Sequence, residues 1–564
     1  MSEPANHSPS SQAVALAVEA GQLQATGRVS EAIELYRRAL QLSPGFPAAW
    51  NNLGVAHRIL GQLRDSVAAC RRAVELQPTF AEAWTNLGNS WKDLGQSDAA
   101  IAAYRQALQL QPRLFEAWNN LGNVLKDTGQ IDEAIVAYDR ALEISPASAS
   151  PAGNRCLAEH YLPGVTLERL QAVHDDWERR LGLALRATWQ PFTNSRDPER
   201  PLRLGFISPD LGQHPVGYLL TRNLAAIDQR EFPVYCYSHR KIQDPVAGKL
   251  ESLATVWRNV WSLADQELAE CIRGDEIDIL FDLAGHTAGN RMTVLARKPA
   301  PVQASWIGYV GPSGLAATEY LIADRWLVSD AMLPRIRERV VRLPTVWASF
   351  ELPYDAPPSA PSPALLAGQV IFGSFNNPAK LNPPVIAAWS QILRRVPNSR
   401  LLLKYRGLSE PGVQQRFRTL FAQQGIDPAR VEFQGSSEFR QMLEIYNSTI
   451  DIALDPFPFN GGTMSLIALW LGVPVITFPG DTLSGRQSYA LLKTLGIDET
   501  IGSDEASYIE RAVALASDLP RLAELRQRLR PAFAASPLCD GPRLAREFSD
   551  AIRELWRERV QREW

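Results

Sequence analysis

Residues 450–480 read IDIALDPFPFNGGTMSLIALWLGVPVITFPG, and this stretch predicts a strand, a loop, a helix and a second strand. Residues 450–454 alternate in polarity over the length of a strand, and the prolines and glycines between 456 and 462 prevent regular structure. We expect Thr463 to be the N-cap of a helix that ends at Gly472, and residues 473–478 to form the second strand.

The turn Gly461-Gly462-Thr463 predicts an anion-binding site. Two glycines remove side chains at the point where backbone N–H groups and the positive end of the helix face outward. A phosphate or pyrophosphate fits such a turn. The alternative from the pattern alone is a plain strand–helix–strand crossover that binds no ligand.

Composition limits the class of protein. A chain of 564 residues predicts three or four domains, and a net charge of −3 provides no electrostatic field for nucleic acid. The N-terminus lacks an apolar signal core, and the longest apolar run is broken by Gly and Pro, so we expect no membrane span. Five scattered cysteines show no metal or redox spacing and favour a soluble cytoplasmic protein: Cys70, Cys156, Cys236, Cys271 and Cys539.

Residues 11–150 repeat with a period of 34, which is the tetratricopeptide pattern of paired helices. Each full unit carries a Trp followed by Asn-Leu-Gly, then a turn glycine and a closing proline. The markers are Trp50, Trp84 and Trp118; Gly27, Gly61, Gly95 and Gly129; and Pro44, Pro78, Pro112 and Pro146. The repeats predict an all-α superhelix.

The second residue after each Trp is an asparagine that points away from the predicted core face. Stacked repeats would place Asn52, Asn86 and Asn120 along the concave groove, where an amide can bind the backbone of a protein or peptide whatever its sequence. The alternative is that these amides only bond neighbouring helices.

After a helical connector over 151–200, strands alternate with helices and predict a parallel sheet whose ligands bind at the carboxyl ends of the strands. The predicted strands are 202–207, 234–237, 277–281, 302–306, 320–323 and 340–343. His214 and His286 lie in loops after two of them, where an imidazole can act as an acid or base near neutral pH, although a loop His is often only a structural hydrogen-bonder.

A second α/β pattern begins at Val370, after a proline-rich linker. Its strands are predicted at 370–375, 400–404 and 431–433, followed by the stretch quoted first. Lys380 follows the first of these strands, and a cation there would neutralise the phosphates of a nucleotide leaving group. The alternative is an ordinary solvated lysine.

The predicted organisation therefore has seven parts. They are a disordered tail (1–10), the repeat array (11–150), the connector (151–200), an acceptor-side α/β lobe (201–355), a linker (356–368), a nucleotide-sugar lobe (369–535) and a charged amphipathic C-terminal helix (536–564).

Two α/β lobes, an anion-binding turn and no Asp-x-Asp motif, placed after tetratricopeptide repeats, resemble the O-linked N-acetylglucosamine transferase family from about residue 11 onward. Plant SPINDLY-type protein O-fucosyltransferases share this layout. The motifs that carry the resemblance are Asp210…His214-Pro215, Gly285-His286-Thr287, Pro301-Val302-Gln303…Trp306-Ile307-Gly308-Tyr309, Phe375-Asn376…Lys380 and Leu454-Asp455…Asn460-Gly461-Gly462-Thr463.

The resemblance implies a GT-B glycosyltransferase with two Rossmann-like lobes that binds UDP-N-acetylglucosamine. It implies that Lys380 contacts the diphosphate, that Asn377 and the 461–464 turn bind the donor, and that His214 lines the site. The implied donor-binding residues are Asn377, Lys380, Gly461, Gly462, Thr463 and Met464; the implied acceptor-side residues are Asp282, His286, Thr287, Tyr309 and Gly311.

Two positions depart from the family pattern. Ile467 stands where members usually carry an acidic residue suited to the ribose hydroxyls, and Val310 and Pro312 alter the usual Gly-Tyr-Pro-Gly-Thr loop.

The resemblance implies inverting transfer of N-acetylglucosamine from UDP to a protein Ser or Thr hydroxyl, with no cofactor or metal. Lys380 and the turn amides would stabilise the diphosphate, and His214, Asp282 or the donor phosphate would take the proton. Three alternatives stay open: another donor such as GDP-fucose or UDP-glucose, a repeat scaffold with an inactive transferase domain, and a small-molecule or glycan transferase.

Overall fold

The computed structural model describes residues 8–351 and 357–562, and the chain divides into two compact units. The first comprises the chain up to Pro146 together with the segment Gly407–Arg416, and the second comprises Ala147–Arg406 together with the chain from Phe417 onward. Residues 1–7 of the predicted tail lie outside the described residues. Ser10 caps the first helix by accepting a hydrogen bond from the Ala13 N–H.

The first unit is an array of antiparallel helix pairs. The helices are α1 (Ser11–Ala25), α2 (Val29–Leu42), α3 (Pro47–Ile59), α4 (Leu63–Leu76), α5 (Ala81–Asp93), α6 (Ser97–Leu110), α7 (Phe115–Asp127) and α8 (Ile131–Ile144). The Asn-Leu-Gly signature has a packing cause, because a Cβ at Gly88 would lie 2.6 Å from the Tyr104 ring and one at Gly54 would lie 2.3 Å from the Cys70 sulfur. The small residue lets the two helices of a pair approach closely.

The repeated tryptophans link consecutive units. The Trp50 Nε1–H donates to the Pro44 carbonyl over 2.8 Å, and Trp84 and Trp118 make the same bond to the proline six residues earlier, over 2.9 Å each. Trp50 is therefore only half-buried, whereas Leu53 on the same helix is buried as predicted. Each 34-residue unit therefore repeats a Trp–Pro hydrogen bond as well as its buried core positions.

The connector begins the second unit and contains two helices of eleven residues, a π-helical turn and a short third helix. Its elements are α9 (Ala149–Glu159), α10 (Leu167–Trp177), a π-helical turn at Glu178–Gly182, and a short α11 (Leu183–Leu185). Leu167, Leu170 and Trp177 are buried, which gives α10 an apolar face toward the rest of the unit.

A parallel sheet follows, with the order β3-β2-β1-β4-β5-β6-β7. The strands are β1 (Leu204–Ser208), β2 (Val234–Ser238), β3 (Val256–Asn259), β4 (Ile279–Asp282), β5 (Val302–Ser305), β6 (Tyr320–Ala323) and β7 (Arg339–Arg342). The helices of this lobe are α12 (Pro215–Ala226), α13 (Pro245–Ser252), α14 (Asp265–Gly274) and α15 (Met292–Leu295). The six predicted strands are present. Edge strand β3 was not predicted, because its half-exposed residues carry little apolar signal.

The second lobe is a parallel sheet with the order β10-β9-β8-β11-β12. Its strands are β8 (Val370–Ser374), β9 (Ser399–Lys404), β10 (Val431–Gln434), β11 (Ile452–Leu454) and β12 (Val475–Ile476). Its helices are α16 (Pro363–Ala367), α17 (Pro383–Arg395), α18 (Pro411–Gln423), α19 (Phe439–Thr449), α20 (Thr463–Trp470), α21 (Gln487–Leu495), α22 (Glu505–Ser517) and α23 (Leu519–Ala534). The fold class is as predicted: a helical repeat array and two Rossmann-like lobes.

The predicted linker at 356–368 is only partly a linker. Ala356 lies outside the described residues, and residues 357–362 have no regular structure. Helix α16 then occupies most of the remainder, because the Asp451 carboxylate accepts hydrogen bonds from the Ser362 hydroxyl (2.6 Å) and the Ala364 N–H (2.9 Å). The second half of this segment therefore belongs to the second lobe.

The C-terminal helix α24 (Gly541–Val560) packs against the first lobe. Phe548 stacks on Trp306 with a centroid distance of 4.6 Å, and the Trp556 Nε1–H donates to the Asp197 carbonyl. Of the described helices, none combines the length and apolar character needed to cross a membrane.

Candidate active site

A cavity of about 620 Å³ lies between the two lobes of the second unit. The first lobe contributes the start of α12 and the loop after β5, and the second contributes the ends of β8, β9 and β10 and the start of α20. Predicted site residues that line it are His214, Asn377, Lys380, Gly461, Gly462, Thr463 and Met464. The carboxyl ends of the strands thus meet at one ligand-sized space, as expected for parallel sheets.

The Gly-Gly-Thr turn is shaped by Asp455, a buried carboxylate at the end of β11. Its Oδ1 accepts the Gly461 N–H over 2.6 Å, and its Oδ2 accepts the Thr477 hydroxyl over 2.7 Å. Burial raises the pKa of Asp455. A Cβ at Gly461 would lie 2.6 Å from the Ser465 hydroxyl oxygen and 2.8 Å from Asp455 Oδ1, so this position requires glycine.

The prediction that Thr463 is the N-cap is wrong by one residue. Gly462 is the cap, with a φ of +55° that favours glycine, and Thr463 is the first helical residue. The Met464 N–H donates to the Gly461 carbonyl over 3.2 Å, so it is already engaged. In the described part of the chain, the N–H groups of Gly462 and Thr463 have no partner, and they are the donors left for an anion at this helix end.

Lys380 reaches the same turn from the end of β8. It ends a 3₁₀ turn, Pro378–Lys380, that the Asn377 side chain caps by accepting the Ala379 N–H. Its Nζ donates to the Asn460 carbonyl over 2.5 Å and lies 4.3 Å from the centre of the Phe459 ring. Burial lowers the pKa of Lys380 to about 8, and the nearby Asp455 charge opposes that shift. The ammonium is therefore held beside the turn rather than solvated.

His214 faces the cavity from the first lobe as the N-cap of α12. Its Nδ1 accepts the Val216 N–H at 3.4 Å and lies 3.7 Å from Asp210 Oδ1. The side chain is 42 % exposed, yet the surrounding protein and the Arg240 cation lower its pKa to about 4. At neutral pH the imidazole is uncharged, and Nδ1, which the long Val216 contact engages only weakly, is the nitrogen able to accept a proton.

Five predicted residues do not line the cavity, so their place on its acceptor side stays a prediction: Asp282, His286, Thr287, Tyr309 and Gly311. Asp282 is buried and accepts the N–H groups of Ala284 and Gly285, so it shapes its own loop. The Thr287 hydroxyl donates to the Ala284 carbonyl. The strand-end loops turn these side chains inward, and Ile307, Gly308 and Val310 form the wall instead.

The inward-facing side chains form a buried polar cluster behind that wall. The Tyr309 hydroxyl lies 2.8 Å from the Nε2 atoms of both His160 and His174, and His286 Nε2 donates to the Ser313 carbonyl. A Cβ at Gly311 would lie 2.9 Å from the His160 ring, so glycine allows this approach. Two members of the cluster, His160 and His174, come from the connector and had no sequence signal.

The same cluster brings Cys156 near two histidines, although the sequence shows no metal spacing. The Cys156 sulfur and one ring nitrogen each of His174 and His286 lie within 4.8 Å of one another, and all three side chains are buried. They come from α9, α10 and the loop after β4, so linear spacing could not show the group. None of the three lines the cavity.

Several cavity residues were not predicted: Tyr161, Lys404, Tyr405, Arg406 and Phe459. Lys404 had a usable signal, because it is one of only eight lysines and ends a predicted strand. Its Nζ donates to the Gly435 carbonyl over 2.8 Å. Ile467 is 1 % exposed and also lines the cavity, so an apolar side chain lies where the resemblance implied an acidic one.

The predicted groove asparagines bond to other asparagines of the array. Asn86 Nδ2 donates to Asn51 Oδ1, and Asn120 Nδ2 donates to Asn89 Oδ1, each over 2.9 Å. Asn52 Oδ1 accepts from Asn51 over 3.2 Å. Asn86 and Asn120 therefore bond a neighbouring helix, as the alternative expects, and all three predicted groove asparagines are half-buried. Their role in binding peptides remains a prediction.

Two parallel-sheet lobes that enclose a cationic, amide-lined cavity define the class of nucleotide-sugar glycosyltransferases, here preceded by tetratricopeptide repeats. The model of glycosyl transferase family 41 matches residues 181–345 and 362–548, and tetratricopeptide models match within 20–80, 92–129 and 115–148. The chain belongs to glycosyl transferase family 41. Proteins named as O-GlcNAc transferases and as probable N-acetylglucosaminyltransferases are among those it resembles.

Relatives and a solved structure agree with this assignment. A tomato (Solanum lycopersicum) protein named as a probable UDP-N-acetylglucosamine–peptide N-acetylglucosaminyltransferase SPINDLY is 36% identical over 73% of this chain and 45% of its own length. The Arabidopsis thaliana SPINDLY protein is 35% identical, over 73% and 46%. A mutant Thermobaculum terrenum O-GlcNAc transferase matches with a TM-score of 0.84 and 33% identity, over 91% of this chain and 98% of that one. The chain spans less than half the length of these plant relatives.

Proposed function

We propose that this protein transfers N-acetylglucosamine from UDP-N-acetylglucosamine to Ser or Thr hydroxyls of protein acceptors, with inversion and without a metal. One observation carries the proposal: the Lys380 ammonium and the open amides of the Gly461–Thr463 turn share one cavity. Fixed positive charge and backbone donors are what a diphosphate leaving group requires. The names of the relatives supply the choice of donor and acceptor.

In the proposed reaction the acceptor hydroxyl attacks the anomeric carbon from the side opposite the diphosphate. The bond from that carbon to the diphosphate oxygen breaks as the new glycosidic bond forms, and the charge that develops on the diphosphate is stabilised by Lys380 and the turn amides. The hydroxyl proton passes to a neutral group near the acceptor. His214 is the cavity residue best placed to take it, since its imidazole is uncharged at neutral pH.

One observation supports considering an alternative nucleotide-sugar donor. Ile467 presents an apolar surface to the cavity where an acidic residue would bind ribose hydroxyls, so nucleoside selection here differs from the family pattern. GDP-fucose or UDP-glucose is the alternative donor that this change admits. We propose a cytoplasmic location on the basis of the free cysteines. We also propose that the repeat array recruits the protein acceptor.

The test is a donor panel on the full chain. Calorimetric titration with UDP, GDP and their sugars is followed by transfer assays on a Ser/Thr-rich protein acceptor, read by mass shift. Binding of UDP and a gain of one N-acetylhexosamine mass would support the proposal. Transfer of a deoxyhexose would show that GDP-fucose, and not UDP-N-acetylglucosamine, is the donor. Binding without transfer would favour the alternative of a repeat scaffold with an inactive transferase domain.

The metal-free part of the proposal needs its own test. Enzyme treated with EDTA and then desalted should keep its transfer rate, and metal analysis before and after treatment should show no catalytic ion. Because Cys156, His174 and His286 converge outside the cavity, the Cys156→Ala variant belongs in the same series. If chelation abolishes transfer and added Mg²⁺ restores it, the metal-free mechanism is wrong.

A further inference from the structure

Helix α9 of the connector, which no sequence feature linked to catalysis, ends beside the candidate active site. Helix α9 ends at Glu159, and the next two residues, His160 and Tyr161, are 1 % and 6 % exposed. Tyr161 lines the cavity although it belongs to neither lobe. Both residues contact the second lobe at the loop that carries the Gly-Gly-Thr turn.

An aromatic route runs from the connector to Lys380. The Tyr161 ring stacks on the Phe459 ring with a centroid distance of 5.0 Å and an interplanar angle of 18°. The Lys380 Nζ lies 4.3 Å from the centre of that Phe459 ring. A phenylalanine backed by a second ring has less rotational freedom, so Tyr161 limits where Phe459 and the ammonium above it can lie.

A polar route reaches the same ammonium. His160 Nδ1 lies 3.1 Å from the Ser484 hydroxyl, and the Ser484 carbonyl accepts the Asn460 N–H over 2.9 Å. The Asn460 carbonyl in turn accepts from Lys380 Nζ over 2.5 Å. The other ring nitrogen of His160 contacts the Tyr309 hydroxyl in the first lobe. His160 is thereby tied to both lobes.

We propose that Tyr161, through its stack on Phe459 and assisted by His160, is a positioning residue that holds the Lys380 ammonium against the diphosphate of the donor. This inference rests on the proposed function, which gives Lys380 its task. A one-ångström displacement of a charged group is enough to reduce transition-state stabilisation, so residues that fix its position affect turnover more than binding.

Three variants test the role by transfer kinetics. Tyr161→Ala removes the stack and should lower kcat about 2- to 12-fold with little change in KM for the nucleotide sugar, the range expected for a lost aromatic pair. Tyr161→Phe keeps the ring and should recover most of that loss. The matched control is Phe433→Ala, which removes a ring stacked on Phe417 outside the cavity and should leave kcat unchanged.

A second readout does not depend on the donor. Acetylation of Lys380 by acetic anhydride across a pH series, quantified by peptide mass spectrometry, reports when the amine loses its proton. The midpoint should lie near pH 8 in the natural chain and move toward 10.5 in Tyr161→Ala as water reaches the amine. The titratable and charged groups that act on this amine or share its cavity stay the same in each variant: Asp455 at the end of β11, and Lys404, Arg406 and His214 on the cavity wall.

The outcomes separate the two proposals. If no nucleotide sugar supports transfer by the natural chain but the acetylation midpoint moves in Tyr161→Ala and not in Phe433→Ala, the proposed function fails and the positioning role stands. If transfer is normal and the acetylation midpoint is the same in all variants, the positioning role is overturned. If Tyr161→Ala and Phe433→Ala lose kcat, kcat/KM and melting temperature to the same extent, the loss is a general effect on the fold. That result would also overturn the positioning role.

Discussion

The Asp455 carboxylate accepts the Gly461 N–H over 2.6 Å, and this bond joins the end of β11 to the turn that opens α20. The bond turns one backbone amide inward, toward the lobe, while the amides of Gly462 and Thr463 remain available at the helix end. The proposed anion site is therefore shaped by a buried acid whose own oxygens are engaged with Gly461 and Thr477. Such an acid orients the donors before the charge develops.

Gly461→Ala should weaken binding of UDP at least tenfold, because the added methyl group cannot fit between Ser465 and Asp455 without moving the turn. Isothermal calorimetry measures the affinity directly. Gly248→Ala is the matched control, since a Cβ there meets nothing within 4 Å. Equal UDP affinities in the two variants would contradict the role of the turn.

Lys380→Ala should reduce transfer by about 10²-fold or more, by analogy with the loss of one preorganised donor. UDP affinity should fall less, because the Gly462 and Thr463 amides remain. Single-turnover kinetics separates the chemical step from binding. Lys249→Ala, which removes a surface lysine paired with Glu351, serves as control, and near-full transfer by Lys380→Ala would refute the leaving-group role.

Turnover should decline as pH rises through about 8, because the buried Lys380 loses its proton there rather than near 10.5. Stability has the opposite sign for this group. Between pH 8 and 10.5 the unfolded chain holds a proton that the folded chain has released, so the free energy of unfolding rises with pH in that window. Profiles of kcat and of urea unfolding for the natural chain and Lys380→Met would reveal both trends, and an unchanged alkaline limb in Lys380→Met would count against the assignment.

His214→Ala should lower kcat by roughly 10²- to 10⁴-fold if the imidazole takes the acceptor proton, with a smaller effect on donor affinity. Because its pKa is lowered to about 4, the acidic limb of the natural profile should fall near pH 4 and not near 6.5. Measuring kcat against pH for both chains tests this. A loss below tenfold with the acidic limb preserved would restrict His214 to positioning the substrate.

Replacing Asn52, Asn86 and Asn120 together by Ala should weaken long protein acceptors tens-fold if the amides bind a peptide backbone, since each hydrogen bond contributes about 1 kcal/mol. UDP affinity should be unaffected. The triple variant also loses the interhelical bonds to Asn51 and Asn89, so its melting temperature must be measured beside it. Equal acceptor KM in a folded triple variant would show that the amides serve the array alone.

Much of the fold follows from the sequence because its patterns are local. The period of 34 predicts the helix pairs, since each unit repeats its own packing glycine and its Trp–Pro hydrogen bond. The alternation of apolar strands and helices predicts both parallel sheets. The N-cap of α20 was predicted at Thr463 but is Gly462. The backbone before the helix adopts a positive φ at residue 462, which glycine tolerates without strain.

The candidate site divides in the same way. Residues 450–480 by themselves determine that a glycine turn precedes a helix at the end of a strand, so the place for an anion is local information. Only the tertiary structure decides that Asp455 orients this turn, that Asp282 and His286 face inward, and that Tyr161 reaches Lys380 through Phe459. The contacts from Tyr161 through Phe459 to Lys380 join residues 298 and 79 positions apart. Their geometry depends on how helices and lobes pack, a property that no short pattern encodes.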